Sequence, residues 1–258
     1  MSVMFRVVIP ARHASSRLPG KPLLLLAGEP VILHVYRLAL RAGAAEVIVA
    51  TDDERIRAAC SAAGAAVEMT SERHASGTDR IAEVAERRGW AGQDVVVNVQ
   101  GDEPLLPPAL IGQVAELLAT TPAASIATLA TPVESVADYL DPSVVKVVTR
   151  ADGMALYFSR APVPWDRDGF AASPPGTDRH TGARRHVGLY AYRVEALRRL
   201  AAAPPGALER REHLEQLRAL AMGYAIVVAD AVVIPGPGVD TPEDLARVAK
   251  LLGARDRQ

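Results

Sequence analysis

Apolar positions along the first half of this chain follow two periods, and the alternation between them sets the expected architecture. Val7-Val8-Ile9, Val47-Ile48-Val49 and Val95-Val96-Val97 are short, continuous and β-branched, as strands buried on both faces should be. Between them the spacing becomes helical, as in Val31, Val35, Leu38 and Ala42. The pattern predicts strands at 6–9, 46–50, 65–69, 94–99 and 125–129. Helices are predicted at 30–42, 54–63, 78–88 and 108–119. A β–α–β–α order of this kind implies an α/β fold with a mostly parallel, Rossmann-like sheet, right-handed crossovers and helices on both faces.

After Thr131 the rhythm changes. Segments 144–149, 154–159 and 186–193 read as strands with few helices between them, which suggests a small antiparallel lobe inserted into the sheet domain. The stretch 168–183 mixes glycine, proline and polar residues without periodicity and reads as a loop. Helices return at 194–202, 210–221 and 242–252, with a strand at 225–229 and a second short one at 232–234. The expected division is therefore an α/β nucleotide-binding domain from 1–130 and 194–258, and an inserted lobe at 131–193.

Composition narrows the class of partner. The 258 residues are 49% apolar and 23% charged, with a formal net charge of −1. That balance suits a globular protein with a large core and gives no reason to expect a nucleic-acid or membrane surface. No apolar run reaches the roughly 18 residues of a membrane span, and the first residues lead into a strand without the layout of a signal peptide, so a cytoplasmic location is expected. The single cysteine, Cys60, excludes an internal disulfide.

The candidate chemistry lies where predicted strands end. Ile9-Pro10-Ala11-Arg12-His13-Ala14-Ser15-Ser16-Arg17-Leu18-Pro19-Gly20-Lys21-Pro22 follows the first strand and carries three cations, Arg12, Arg17 and Lys21, within ten positions. A basic loop at the carboxyl end of a strand in an open α/β sheet suits an anionic ligand, and a nucleoside triphosphate above all. It is neither a Walker A loop nor a dinucleotide fingerprint. Val97-Asn98-Val99-Gln100-Gly101-Asp102-Glu103-Pro104 ends a second strand, and there Asp102 fits two roles, a Mg2+ ligand or a turn aspartate. In Pro237-Gly238-Val239-Asp240-Thr241-Pro242-Glu243-Asp244, Thr241 is a good helix N-cap and Asp244 its capping-box acid. Asp240 then has no structural task, and a second Mg2+ ligand opposite Asp102 is the reading adopted. Ser76-Gly77-Thr78-Asp79-Arg80 opens a helix that Ser76 or Thr78 can cap. Arg80 sits there against the helix dipole, which suggests an anionic ligand. Glu212, Glu215 and Gln216 share the polar face of the helix expected at 210–221, where spacing alone favours simple solvation. His34 and His213 lie among apolar neighbours and read as packed.

These segments, together with Tyr157-Phe158-Ser159-Arg160, Pro164-Trp165-Asp166-Arg167 and Arg185-His186-Val187-Gly188-Leu189-Tyr190, resemble the 3-deoxy-manno-octulosonate cytidylyltransferase (CMP-Kdo synthetase) family, in order and over nearly the whole chain. The resemblance implies a nucleotide-diphospho-sugar transferase fold and a homodimer formed through the lobe. It implies a Mg2+-dependent transfer of CMP from CTP to Kdo, an activation step for lipopolysaccharide. Matching positions imply that Arg12, Arg17 and Lys21 hold the triphosphate, and that Ala11, Ser16, Ser76, Gly77, Gln100 and Gly101 complete the CTP site. Asp102 and Asp240 would bind Mg2+. Arg80, Arg167, His186, Tyr190, Glu212, Glu215 and Gln216 would line the sugar site. A cytidylyltransferase for sialic-acid-like sugars would share the fold and the acid pair. A non-catalytic nucleotide-binding domain would be expected to have lost Lys21, Asp102 or Asp240, and all three are present.

Overall fold

The computed structural model describes residues 3–14, 18–168 and 182–255. Among these, one sheet of nine strands dominates. It contains β1 (Phe5–Ala11), β4 (Glu46–Thr51), β5 (Ala66–Met69), β6 (Val95–Asn98), β7 (Ile126–Pro132), β8 (Lys146–Thr149), β9 (Ala155–Ser159), β10 (Arg184–Arg193) and β11 (Ile226–Asp230). A two-stranded hairpin, β2 (Leu25–Leu26) with β3 (Glu29–Pro30), stands apart. The main order is β11-β7-β10-β6-β1-β4-β5. Pairings β1–β4, β1–β6, β4–β5 and β7–β11 are parallel, whereas β10 runs antiparallel to both β6 and β7.

Alternation along β1 divides the core. Val7 and Ile9 face one side with Ile32, Val35, Ile56 and Leu110, from α1 (Val31–Leu40), α2 (Glu54–Ala62) and α4 (Pro108–Ala119). Val8 faces the other with Ile81, Val84 and Leu197, from α3 (Gly77–Arg87) and α6 (Val194–Ala202). Adjacent residues pointing to opposite faces is the ordinary period of a strand, and it explains why these strands are continuously apolar. Cys60 is buried on the first side, and burial pushes its thiol up to about 11, as for a packing residue. No helix among the described residues is long and apolar enough to cross a membrane.

Strand β10 joins the main path of the sheet to the off-path strands β8 and β9. Tyr190 to Arg193 lie in register with β6, while Arg184 and Arg185 pair with Val147 and Lys146 of β8. A register shift falls between Val187 and Tyr190. Strands β8 and β9, with the short helix α5 (Val136–Leu140), form an arm. The fully buried Lys146 binds three carbonyls there, those of Asp141, Val144 and Arg160, at 2.5–3.0 Å. Tyr139 reaches the Pro164 carbonyl at 2.5 Å.

Two expected elements differ. The helix predicted at 210–221 is broken into α7 (Ala207–Glu212) and α8 (Gln216–Ala221), because His213 takes a left-handed conformation with φ 52°. His213 is exposed rather than packed. Histidine is one of the non-glycine residues that tolerates this region, so no glycine or proline marks the break. Segment 232–234 is not a strand; Val232 and Ile234 are 70% and 65% exposed. The last helix, α9 (Pro242–Arg255), packs Val248 against Leu26, Val31 and Leu105.

Candidate active site

The carboxyl ends of β1 and β6 open into a cleft lined by Pro10, Ala11, Arg12, Lys21 and Pro22 from the first loop, and by Gln100, Gly101 and Asp102 from the second. His74, Ser76, Gly77 and Arg80 close it along α3, and Asp240 closes it ahead of α9. Glycines make this convergence possible. A Cβ on Gly101 would lie 2.9 Å from the Pro10 carbonyl oxygen, and one on Gly77 would lie 3.1 Å from the Pro10 ring. Gly20 turns the basic loop with φ 70° and donates its amide to the His13 carbonyl at 3.0 Å. Ser16 and Arg17 lie outside the described residues.

The two aspartates meet. Lys21 Nζ donates to Asp102 Oδ2 at 2.5 Å and to Asp240 Oδ1 at 2.9 Å, although 219 positions separate Lys21 from Asp240. The Val239 amide, bonded to the Asp102 carbonyl at 2.8 Å, locks the two acidic loops together. As expected, the helix after Asp240 is capped without it: Asp244 N–H donates to Thr241 Oγ1 and the Asp244 carboxylate accepts the Thr241 amide. Burial would lower the Lys21 pKa, but Asp102 and Asp240 outweigh it and the net shift is upward. Lysine is therefore charged and already plays the part of a cation between the acids.

This arrangement passes the test for Mg2+. The donors are oxygen only, two carboxylates converge on one cation's position, and the open cleft leaves room for phosphate and water ligands, the habit of Mg2+. Among the described residues no group of three or more His, Cys, Asp and Glu side chains is arranged to hold a metal.

Glu103 is a residue the sequence reading passed over. Burial, then the charges of Asp102 and Asp240, push its carboxyl up to about 8 against the opposing effect of Lys21 and Arg185. A third acid in Gly101-Asp102-Glu103-Pro104 was the available signal. Glu103, Arg185, His186, Gly238 and Arg247 line a second cleft that shares Gln100 with the first.

The residues expected around a sugar are placed less uniformly. Arg80 lines the first cleft, but it is 2% exposed and its guanidinium already pairs with Asp52 at 2.6 Å and with Thr70. The dipole argument for an anionic ligand at Arg80 thus loses its force, since Asp52 supplies the anion. Glu212 is not solvated: it accepts from Ser159 Oγ at 2.8 Å and from the Arg160 amide at 2.7 Å, fastening β9 to α7. Glu215 accepts from Thr78 and approaches Arg218. Burial raises the Glu215 pKa, against the bonds from Thr78 and Ser76. Gln216 is buried, and among the described residues its Nε2 has no hydrogen-bond partner; the same holds for the Tyr190 hydroxyl and Asn98 Oδ1. Arg167 is exposed and lines neither cleft.

His186 packs edge-on against Phe158, tilted against Tyr190, with Nε2 3.1 Å from Thr128 Oγ1. Burial drives its pKa down to about 3. The unfolded chain binds this proton first as pH falls, so the stability due to the neutral ring is complete above about pH 6.5 and is lost toward pH 3. The urea midpoint should decline through that window, and His186→Gln should flatten part of the decline while leaving the neutral-pH plateau level. Identical pH profiles for the two proteins would contradict the neutral, half-buried ring.

A cytidylyltransferase family model matches residues 6–226. The 3-deoxy-manno-octulosonate cytidylyltransferase of Halorhodospira halophila is 58% identical over 248 residues, covering 96% of each chain. That of Thioalkalivibrio sulfidiphilus is 55% identical over 251 residues, covering 97% of this chain and 99% of its own length. The corresponding protein of Pseudomonas syringae pv. tomato is 53% identical, covering 98% of this chain and 100% of its own. A solved structure of CMP:2-keto-3-deoxy-manno-octonic acid synthetase complexed with CTP superposes with a TM-score of 0.87 at 42% identity, covering 98% of this chain and 99% of that one. Matched by the family model over residues 6–226 and by relatives along almost their entire length, the chain belongs to the 3-deoxy-manno-octulosonate cytidylyltransferase family.

Proposed function

We propose that this protein transfers CMP from CTP to the anomeric hydroxyl of Kdo and releases pyrophosphate, with Mg2+ held by Asp102 and Asp240. The observation that carries the reading is the pair of acids meeting on one cation at the mouth of a cleft walled by Arg12, Lys21, Ser76, Gly77 and Gln100. The names of the relatives, and CTP in the related solved structure, support the same substrates.

Both reactants are anionic, a sugar acid and a triphosphate, so repulsion between them is a large part of the barrier and fixed positive charge lowers it. Arg12, Arg17 and Lys21 are assigned to the triphosphate. Ala11, Ser16, Ser76, Gly77, Gln100 and Gly101 are assigned to the rest of CTP, with the glycines letting backbone approach the nucleotide. When bound, Mg2+ supplies Lewis-acid charge at the α-phosphate and lowers the pKa of the attacking hydroxyl. Lys21 then stabilises charge moving onto pyrophosphate.

For the sugar, Tyr190 and Gln216 offer buried hydrogen-bonding atoms with no partner among the described residues, a costly state that a polyhydroxylated ligand relieves. His186, held neutral, adds a hydrogen-bonding edge without charge, and Arg167 is assigned to the sugar carboxylate. Arg80, Glu212 and Glu215, already engaged by protein groups, shape the wall of this site. The arm presents Leu140 and Leu156, 46% and 58% exposed, and a homodimer through this lobe covers them. A cytoplasmic enzyme of lipopolysaccharide synthesis completes the reading.

A pyrophosphate-release assay tests it. CTP with Kdo should turn over, UTP should be slower by at least about 10²-fold, as expected when polar groups of the site are left unpaired, and chelation of divalent metal should stop the reaction until Mg2+ is restored. Equal rates with neuraminic acid and Kdo would overturn the sugar assignment.

A further inference from the structure

The segment 70–76 forms one wall of the nucleotide cleft without regular secondary structure. Both its ends are fixed. Thr70 Oγ1 donates to the Thr51 carbonyl at 3.1 Å, and Ser76 caps α3 in a reciprocal box with Asp79. Between those ends, the wall is held by a side chain from the second turn of α3. Glu83 Oε2 accepts the Ser71 amide at 2.9 Å and lies 2.5 Å from His74 Nε2, while Oε1 pairs with Arg87. Helical side chains lean toward the N-terminus, which is how Glu83 reaches back over the first turn to the loop ahead of it.

Glu83 does not line the nucleotide cleft. It faces a neighbouring groove, and His74 borders both spaces. The side chains of Glu83 and His74 are 17% and 22% exposed, so the contact between them is largely shielded from water. A single carboxylate thus receives a backbone amide and a cleft-lining imidazole three residues apart. That is how a loop is set in one conformation before a ligand arrives, and a site whose competent form is only partly populated binds more weakly in proportion.

We infer that Glu83 is a positioning residue for the nucleotide: by holding Ser71 and His74 it fixes the wall against which the base of CTP is selected, with no contact to the nucleotide itself. This inference rests on the proposed CTP site.

Glu83→Ala should raise the KM and Kd for CTP by about tenfold or more, the equivalent of losing one charge-assisted hydrogen bond. It should leave kcat and the Kdo KM unchanged and narrow the preference for CTP over UTP. Glu83→Asp, one methylene shorter, keeps the charge beside Arg87 but withdraws from the loop, so it should show the same defect with little risk to folding. Glu83→Gln keeps an acceptor for the Ser71 amide and should restore part of the affinity. Arg87→Ala removes the exposed partner and should leave the CTP KM unchanged. A carboxylate that merely stabilised α3 would lower the melting temperature without separating the CTP KM from kcat and the Kdo KM, and that result would overturn the inference. Wild-type protein that released no pyrophosphate from CTP and Kdo would instead remove the nucleotide reading on which it rests.

Discussion

Asp240→Asn is expected to cut pyrophosphate release on the order of 10³-fold while the protein folds normally. The fold is spared for a local reason. Helix α9 is capped by Thr241 and Asp244, and the Asp240 backbone amide keeps its own bond to the Asp244 carboxylate at 3.2 Å. Asparagine removes the charge that meets Lys21 and leaves the cap of α9 in place. Asp102 alone remains to hold the divalent ion, and the loss of several kcal/mol of charge stabilisation in the transition state corresponds to that drop in rate. Calorimetric titration with Mg2+ and CTP should show weakened metal binding in parallel. Near-normal turnover at saturating Mg2+ would end the claim that the two acids share the metal.

Lys21→Ala should have a comparably large kinetic effect and a second signature that the aspartate variant lacks. With CTP bound, a point charge on the departing phosphates is gone, and release should fall by about 10²- to 10³-fold. Arginine should restore only part of this, since a planar fork does not occupy the position of a compact ammonium. Without ligand, the same substitution leaves Asp102 and Asp240 facing each other beside the half-buried Glu103. The variant should then melt at a lower temperature than wild type and recover more on addition of Mg2+ alone. An unchanged release rate would remove Lys21 from the phosphate. An unchanged response to Mg2+ would remove it from the acid pair.

Much of this site was legible because its parts are local. A buried valine strand ending in Gly101-Asp102, and a capped helix start that leaves Asp240 idle, are visible within eight residues, and the fold brings both to Lys21. Alternation in β1 and the helical spacing of α1 likewise predicted which elements form. What was hidden depends on partners distant in the sequence. Arg80 looked misplaced at a helix start because Asp52, 28 positions away, cannot be seen from its neighbours. Glu212 looked solvated because its donors, Ser159 at the end of β9 and Arg160 just after it, lie more than 50 positions earlier. The break at His213 carried no glycine or proline to announce it. Nor does sequence order show that β10 enters the middle of the sheet between β6 and β7; local pattern marks a strand but not its neighbours.

That strand has a mechanical consequence. Ten residues of extended chain, about 33 Å, run as a single beam from the floor of the nucleotide sheet out to the arm. Among the described residues β10 itself carries the sheet into the arm, and the irregular stretch between Val187 and Tyr190 is where its ladder with β7 is interrupted. His186 lies on the outboard side of that pivot and Tyr190 on the inboard side. A bend at that point would change the 5.2 Å separation of the imidazole and phenol rings that face each other across it.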